Sequence, residues 1–236
     1  CGNRCLMTVG AVTGGRGFVC GNNCPKGAGD AALPSAPNML AERYERIFQY
    51  TPLPAGTAPR GEIGIPRVLN MYENYPLWFT IFTELGYSVQ LSARSSRKLF
   101  ETGLASIPSQ TVCYPAKLVH GHILDLVKRG IKRIFYPCIP NEGHEDDHSD
   151  KNYNCPIVCG YPQTVDFNID ELSAQGVEML APFLPLDNPR RLAARLAEEL
   201  KLPKAEVKRA VSKGFKEADR LRKELAAKAE ELLLRV

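Results

Sequence analysis

Eight cysteines fall into two separated sets of four. Cys1, Cys5, Cys20 and Cys24 are spaced C-x3-C-x14-C-x3-C, and Cys113, Cys138, Cys155 and Cys159 are spread over a stretch of alternating elements. Four thiolates brought together need a cation or an iron–sulfur core to neutralise their charge. The competing reading is disulfides. It loses ground because no exporting segment is in view, and a reducing, cytoplasmic compartment disfavours them. Two such sets point to redox or metal-supported chemistry.

The elements that must position these thiols differ between the sets. Leu6 to Val12 and Gly17 to Val19 read as two strands with Gly14-Gly15 at the turn, a hairpin carrying a C-x3-C pair at each end. This is the pattern of a zinc-ribbon-like knuckle and equally of a small cluster site. A segment this short has no core, so metal would hold it together. A helix over residues 36–50 and a Pro-rich linker follow. From Glu62 the chain alternates strand with helix. Strands are expected at Ile63–Pro66, Tyr87–Leu91, Ile131–Tyr136 and Val177–Leu180. Helices are expected at Tyr72–Leu85, within Ser92–Gly103 and at Tyr114–Arg129, with Gly86 and Gly130 as stops. That order predicts an α/β fold, a parallel sheet with helices on both faces. Asn188-Pro189 starts one helix, and Leu202-Pro203 ends it and begins a last one. On the last, Val207, Val211, Phe215, Ala218, Leu221, Leu225, Ala229 and Leu232 form one apolar stripe. The expected division is 1–30 hairpin, 31–60 helix and linker, 61–186 α/β domain and 187–236 C-terminal helices.

Placement of the second set matters more than its count. Cys113-Tyr114-Pro115 immediately precedes a helix, where an anionic group meets unpaired amide donors and the positive end of the dipole. Cys138 sits just past the carboxyl end of a strand, and Cys155-Pro156 and Cys159 are assigned to the loop that follows. In open α/β sheets such loops converge on ligands. The bland alternative is that Cys138 and Cys159 are small buried hydrophobes. His144-Glu145-Asp146-Asp147-His148 has the letters of a zinc-protease motif but no apolar face for a buried helix, and is read as an exposed acidic loop. His120 and His122, two apart on one helix, face different sides and read as structural. With 30 Lys+Arg against 26 Asp+Glu, no strong field argues for nucleic acid. No apolar run approaches the ~20 residues of a membrane span.

The strings from Ile63 to Pro76, Ser95 to Leu99, Cys113 to His122, Phe135 to Pro140 and Tyr153 to Val158 resemble the activase-related proteins of the 2-hydroxyacyl-CoA dehydratase group. Cys1-Gly2-Asn3-Arg4-Cys5 and Gly21 to Gly27 resemble the same family. The resemblance implies a Rossmann-like domain similar to the dehydratase subunits, which hold a 4Fe–4S cluster through three cysteines. Cys113, Cys138 and Cys155 fall on that pattern, and Cys1, Cys5 and Cys24 on the amino-terminal one. It further implies an ATP-dependent activase partner, separate or in adjacent domains, that delivers low-potential electrons for a difficult reduction, and it leaves room for a homodimer. Relatives with a double-cubane cluster leave open whether the two cysteine sets are separate or joined. Cys20 and Cys159 lie where the family does not always have cysteine. The chain itself carries no Gly-rich phosphate loop. The alternative function is a structural interaction module with zinc at the hairpin.

Overall fold

The computed structural model describes residues 5–12, 14, 16–21, 39–54, 56–143 and 152–233. The chain divides into two units, residues 1–43 with 226–236, and residues 44–225. In the first, β1 (Thr8–Val12) and β2 (Arg16–Cys20) pair antiparallel, with Thr8 opposite Cys20 and Val12 opposite Arg16. Leu6, Val9 and Phe18 on this hairpin are exposed, so it lacks a core of its own.

The larger unit is organised on β3 (Glu62–Ile65), β4 (Ser88–Leu91), β5 (Arg133–Phe135) and β6 (Glu178–Leu180), all parallel in the order β4-β3-β5-β6. Strands covered on both faces read as apolar runs rather than alternations, and Ile63, Ile65, Val89, Ile134 and Phe135 are fully buried. Helix α1 (Met39–Phe48) forms within the expected stretch 36–50. Between β3 and β4 lie α2 (Leu69–Glu73) and α3 (Tyr75–Glu84), where one helix is expected from Tyr72 to Leu85. Asn74 ends the first and precedes the second, because Pro76 in the first turn of α3 suits a helix start and not an interior. Trp78 and Phe82 of α3 meet Phe135 edge-on, with ring centroids 4.9 and 4.7 Å apart. Gly64 faces the other way, where a Cβ would stand 3.1 Å from Leu126. Leu126 belongs to α5 (Tyr114–Lys128), which therefore packs close on the opposite face of β3.

The helix expected within Ser92–Gly103 is shorter, α4 (Arg97–Thr102), followed by a 3-10 turn at Leu104–Ser106. Ser96 caps α4 by accepting the Leu99 amide at 3.1 Å, while Ser92 and Ser95 turn their hydroxyls to His122. Between β5 and β6 lie α6 (Pro156–Asn168) and α7 (Asp170–Ala174). Asn188 caps α8 (Pro189–Leu200) as expected, its Oδ1 accepting the Arg191 amide at 3.1 Å. The last helix is α9 (Lys204–Leu233), whose Val207, Val211 and Leu221 are buried. Tyr50 donates to Glu217 at 2.6 Å, and Lys213 pairs with Glu84 at 2.6 Å. These contacts tie the part of α9 within residues 44–225 to the sheet's outer layer. Among the described residues no helix is long and apolar enough to cross a membrane.

The approach of α4 to α5 depends on Gly121, where a Cβ would overlap the Leu99 carbonyl. Gly121→Ala is expected to lower unfolding stability by about 1–3 kcal/mol through overpacking, read from urea denaturation. Gly160→Ala, with open space around its α-carbon, serves as the control and should leave stability unchanged or slightly raised through helix propensity.

Candidate functional site

The sheet order places β4 and β5 on opposite sides of β3, so the path reverses between β3 and β5. Ligand crevices in open parallel sheets form outside the strand ends at such a reversal. Three cysteines arrive there from three elements. Tyr136-Pro137 carries the chain from β5 to Cys138, which is fully buried. Its amide donates to the Pro182 carbonyl and its carbonyl accepts from the Leu184 amide, both at 2.9 Å. Cys113 is the N-cap of α5 and Cys155 the N-cap of α6, with nearly the same extended backbone, φ −61°, ψ 153° and φ −62°, ψ 156°. Both thiols are exposed, neither makes a capping hydrogen bond, and neither helix has an acid in its first turn. Each therefore stands at a helix start whose free amides and dipole suit an anion.

The assignment of Cys159 to a loop is corrected by α6, whereas Cys155 ends the loop as the N-cap of that helix. The interior Pro162 hides this helix in the sequence, since proline removes the donor that should reach the carbonyl four residues back. That carbonyl, on Val158, instead accepts the Ile139 amide at 3.3 Å. The proline thus stitches α6 to the segment carrying Cys138. Cys159 lies one turn into α6, and its thiol donates to the Asn154 carbonyl at 3.2 Å. Burial, with some contribution from Cys155, raises its pKa. Burial also pushes the Cys138 thiol up to about 11, against the Gln163 backbone amide, which favours the thiolate. A thiol so placed stays protonated at neutral pH unless a cation replaces the proton.

At the centre is Tyr136, only 1% exposed, whose hydroxyl has no hydrogen-bond partner among the described residues. Burial raises its pKa far above the ordinary phenol value, and Cys138, Tyr161, Cys155 and Cys113 stand near enough to add to the rise. Tyr161 of α6 bonds His120 Nε2 at 2.9 Å, and His120 Nδ1 bonds Ser106 at 2.8 Å. The Ser106 hydroxyl donates its one proton to the Gly103 carbonyl, so it accepts from His120 Nδ1–H. His120 Nε2 then carries the lone pair, and Tyr161 donates to it. His122 is held at both nitrogens, by Ser92 at 2.8 Å and Ser95 at 2.9 Å. Both histidines are structural, as the sequence suggests, and both are buried.

A second hub has no counterpart in the sequence reading. One oxygen of Glu142 accepts from the side-chain amides of Asn70 at 3.1 Å, Asn74 at 3.3 Å and Asn154 at 3.1 Å. Asn154 also donates to the Ile139 carbonyl at 2.9 Å. The hub fastens the loop after β5 to α2, which starts on Leu69 in a left-handed conformation, φ 44°. That conformation costs of order 1–2 kcal/mol for a non-glycine residue. The one visible signal was the four-residue spacing of Asn70 and Asn74. Beside this loop a cleft of about 490 Å³ is lined by Pro140, Asn141, Phe183, Leu184, Arg191 and Arg195 among others.

The donor set of Cys113, Cys138 and Cys155 suits an iron–sulfur group in its chemistry, and the unpartnered Tyr136 hydroxyl leaves a donor available to it. Among the described residues no three His, Cys, Asp or Glu side chains converge tightly enough for one metal ion. A cubane binds each thiolate at a different iron, so its ligands stand farther apart than those of a single ion. Of the amino-terminal set, Cys5 and Cys20 flank the hairpin as free thiols, while Cys1 and Cys24 lie outside the described residues. So does the stretch from His144 to His148.

A model of the family described as CoA enzyme activase uncharacterised domain (DUF2229) matches residues 62–236, about three quarters of the chain. No curated protein and no solved structure matches it.

Burial lowers the pKa of His120 and of His122 from the ordinary 6.5 to about 4. The unfolded chain then binds more protons than the folded one between these values, so stability is full above about pH 6.5 and falls as pH drops towards 4. Unfolding free energies from urea denaturation are expected to fall between pH 6.5 and 5 with a slope of up to about 1.4 kcal/mol per pH unit per histidine. The His122→Gln variant should show a shallower slope, and a flat wild-type profile would refute the neutral-imidazole assignment.

Proposed function

The chain belongs to the CoA enzyme activase uncharacterised domain family, and from that premise we propose that it is the iron–sulfur redox domain of a system that activates a CoA enzyme. Cys113, Cys138 and Cys155 are assigned as ligands of a 4Fe–4S cluster. The observation that carries the reading is their arrival from two helix N-termini and one strand end around the same buried phenol. When bound, such a cluster accepts and releases an electron at low potential. The chain's residues supply the setting. Free amides at the starts of α5 and α6 offset the negative charge of thiolates and sulfide. The Cys138 backbone is held on both sides by Pro182 and Leu184. Glu142 with its three asparagines fastens itself and Asn154, which precedes Cys155, to α2.

Three protein ligands on a cube leave one iron for an outside ligand, which fits the dehydratase-like chemistry implied by the sequence resemblance. Cys159, whose thiol donates to a backbone carbonyl, is placed as a neighbour and a reserve fourth ligand. With no Gly-rich phosphate loop in the chain, ATP hydrolysis is assigned to a partner protein or to further domains. For the hairpin, zinc or a second cluster at Cys1, Cys5, Cys20 and Cys24 is the proposal. The exposed Leu6, Val9 and Phe18 favour a metal that stabilises a strand pair without a core. A zinc site there alone, with no cluster at the sheet, would reduce the chain to an interaction module.

Anaerobic reconstitution of the full chain, with iron, zinc and acid-labile sulfide measured on one sample, distinguishes these readings. About four irons and four sulfides are expected for each cubane. Cys113→Ser and Cys155→Ser should each lose most of the iron that depends on the sheet site, with hairpin metal retained. Zinc without sulfide in the wild type, and no effect of either variant on metal content, would overturn the redox assignment.

A further inference from the structure

The buried phenol at the end of β5 has no acceptor among the described residues, although its position is well fixed. Tyr136 follows the strand directly, and its amide donates to the Leu180 carbonyl at 3.0 Å. Burying a hydroxyl with no partner costs about 1–3 kcal/mol, and phenylalanine would fill the same space without that penalty. A buried unpaired polar group of this kind calls for a physical reason.

The hydrogens of the neighbouring Tyr161 hydroxyl and Cys159 thiol are committed. Tyr161 donates to His120, because Ser106 holds the imidazole in the Nδ1–H tautomer. Cys159 donates to Asn154. Unlike Tyr161 and Cys159, Tyr136 has no hydrogen-bond partner among the described residues, and Cys113, Cys138 and Cys155 all lie within its electrostatic reach. The phenol O–H donates more strongly to an anionic sulfur than to a neutral thiol. Thiolate and sulfide sulfurs are acceptors, and none is present until the thiols give up their protons to a metal.

We propose that Tyr136 is a tuning residue whose O–H is kept for a sulfur of the iron–sulfur group bound by Cys113, Cys138 and Cys155. This rests on the function proposed above and adds a specific role to it. Hydrogen bonds to cluster sulfurs stabilise the more negative, reduced state and raise the potential. The phenol also offsets part of the charge introduced where Cys138 is fully buried.

The test compares Tyr136→Phe with wild type and with Tyr161→Phe, each as the full chain, before and after anaerobic reconstitution with iron and sulfide. Without metal, Tyr136→Phe is expected to melt at or above the wild-type temperature, since it removes an unpaired hydroxyl. Tyr161→Phe should melt lower, since it strips His120 of its partner. After reconstitution, Tyr136→Phe should bind as much iron and sulfide as wild type but show a more negative midpoint potential, and Tyr161→Phe a smaller shift or none. Equal potentials for Tyr136→Phe and wild type would overturn this inference while leaving the cluster assignment intact. A metal-free Tyr136→Phe that melts several degrees lower would also overturn it, by showing that the hydroxyl is already bonded. A wild-type chain that takes up no iron overturns both readings.

Discussion

Because β4 and β5 lie on opposite sides of β3, the strand order has its gap, the point where the path reverses, between β3 and β5. A parallel sheet gives this gap a fixed polarity. Helices return the chain to the start of the next strand, so helix N-termini collect at the same edge as strand C-termini. That constraint puts Cys138 at a strand end and Cys113 and Cys155 at helix starts on one side of the molecule. It also explains why residues from Arg67 to Asn74 and from Tyr136 to Glu142 meet. They are the first segments beyond the two strands that border the reversal.

Around that gap the polar interior is assembled with little freedom. His120 links the 3-10 turn to α6 through Ser106 and Tyr161, and His122 links α5 to the segment after β4 through Ser92 and Ser95. Buried imidazoles with both nitrogens bonded stabilise a single arrangement, since any shift leaves a polar atom unpaired. The same logic governs α6. Pro162 would ordinarily weaken a helix by about 3 kcal/mol, yet the carbonyl it leaves free is taken by Ile139. A local defect is thereby converted into a tertiary contact next to the cysteines. Tyr136, with Arg67 Nε and Asn141 Oδ1 in the adjoining segments, is left without a partner among the described residues.

The family assignment and the geometry bear on different levels of function. Membership places the chain with CoA enzyme activases, and a fold alone would not say more than that. Thiols at helix starts, a deeply buried cysteine whose ionisation needs a cation, and a donor held in reserve are what turn the membership into a specific redox proposal. The hairpin contributes separately. Its Leu6, Val9 and Phe18 are exposed, so the described strand pair has little burial of its own to stabilise it.

Much of this protein could be read directly from its residues, where the cause is local. Apolar runs ended by Gly86 and Gly130 mark the strand–helix repeats, Asn188-Pro189 marks a helix start, and Cys113-Tyr114-Pro115 marks another. Their alternation is enough for a parallel α/β fold with a hairpin before it and a long helix after it. What the sequence left undetermined depends on partners distant along the chain. The helix at Pro156–Asn168 could not be inferred because the amide that compensates Pro162 belongs to Ile139, and no local pattern names it. Glu142 reads as an ordinary loop acid until three asparagines from two segments close on it. The unpartnered hydroxyl of Tyr136 is likewise a property of what surrounds it. Residue types and short spacings determined which groups were available, and the tertiary structure alone decided which of them were left without a partner, because hydrogen-bond satisfaction is settled only when distant segments pack together.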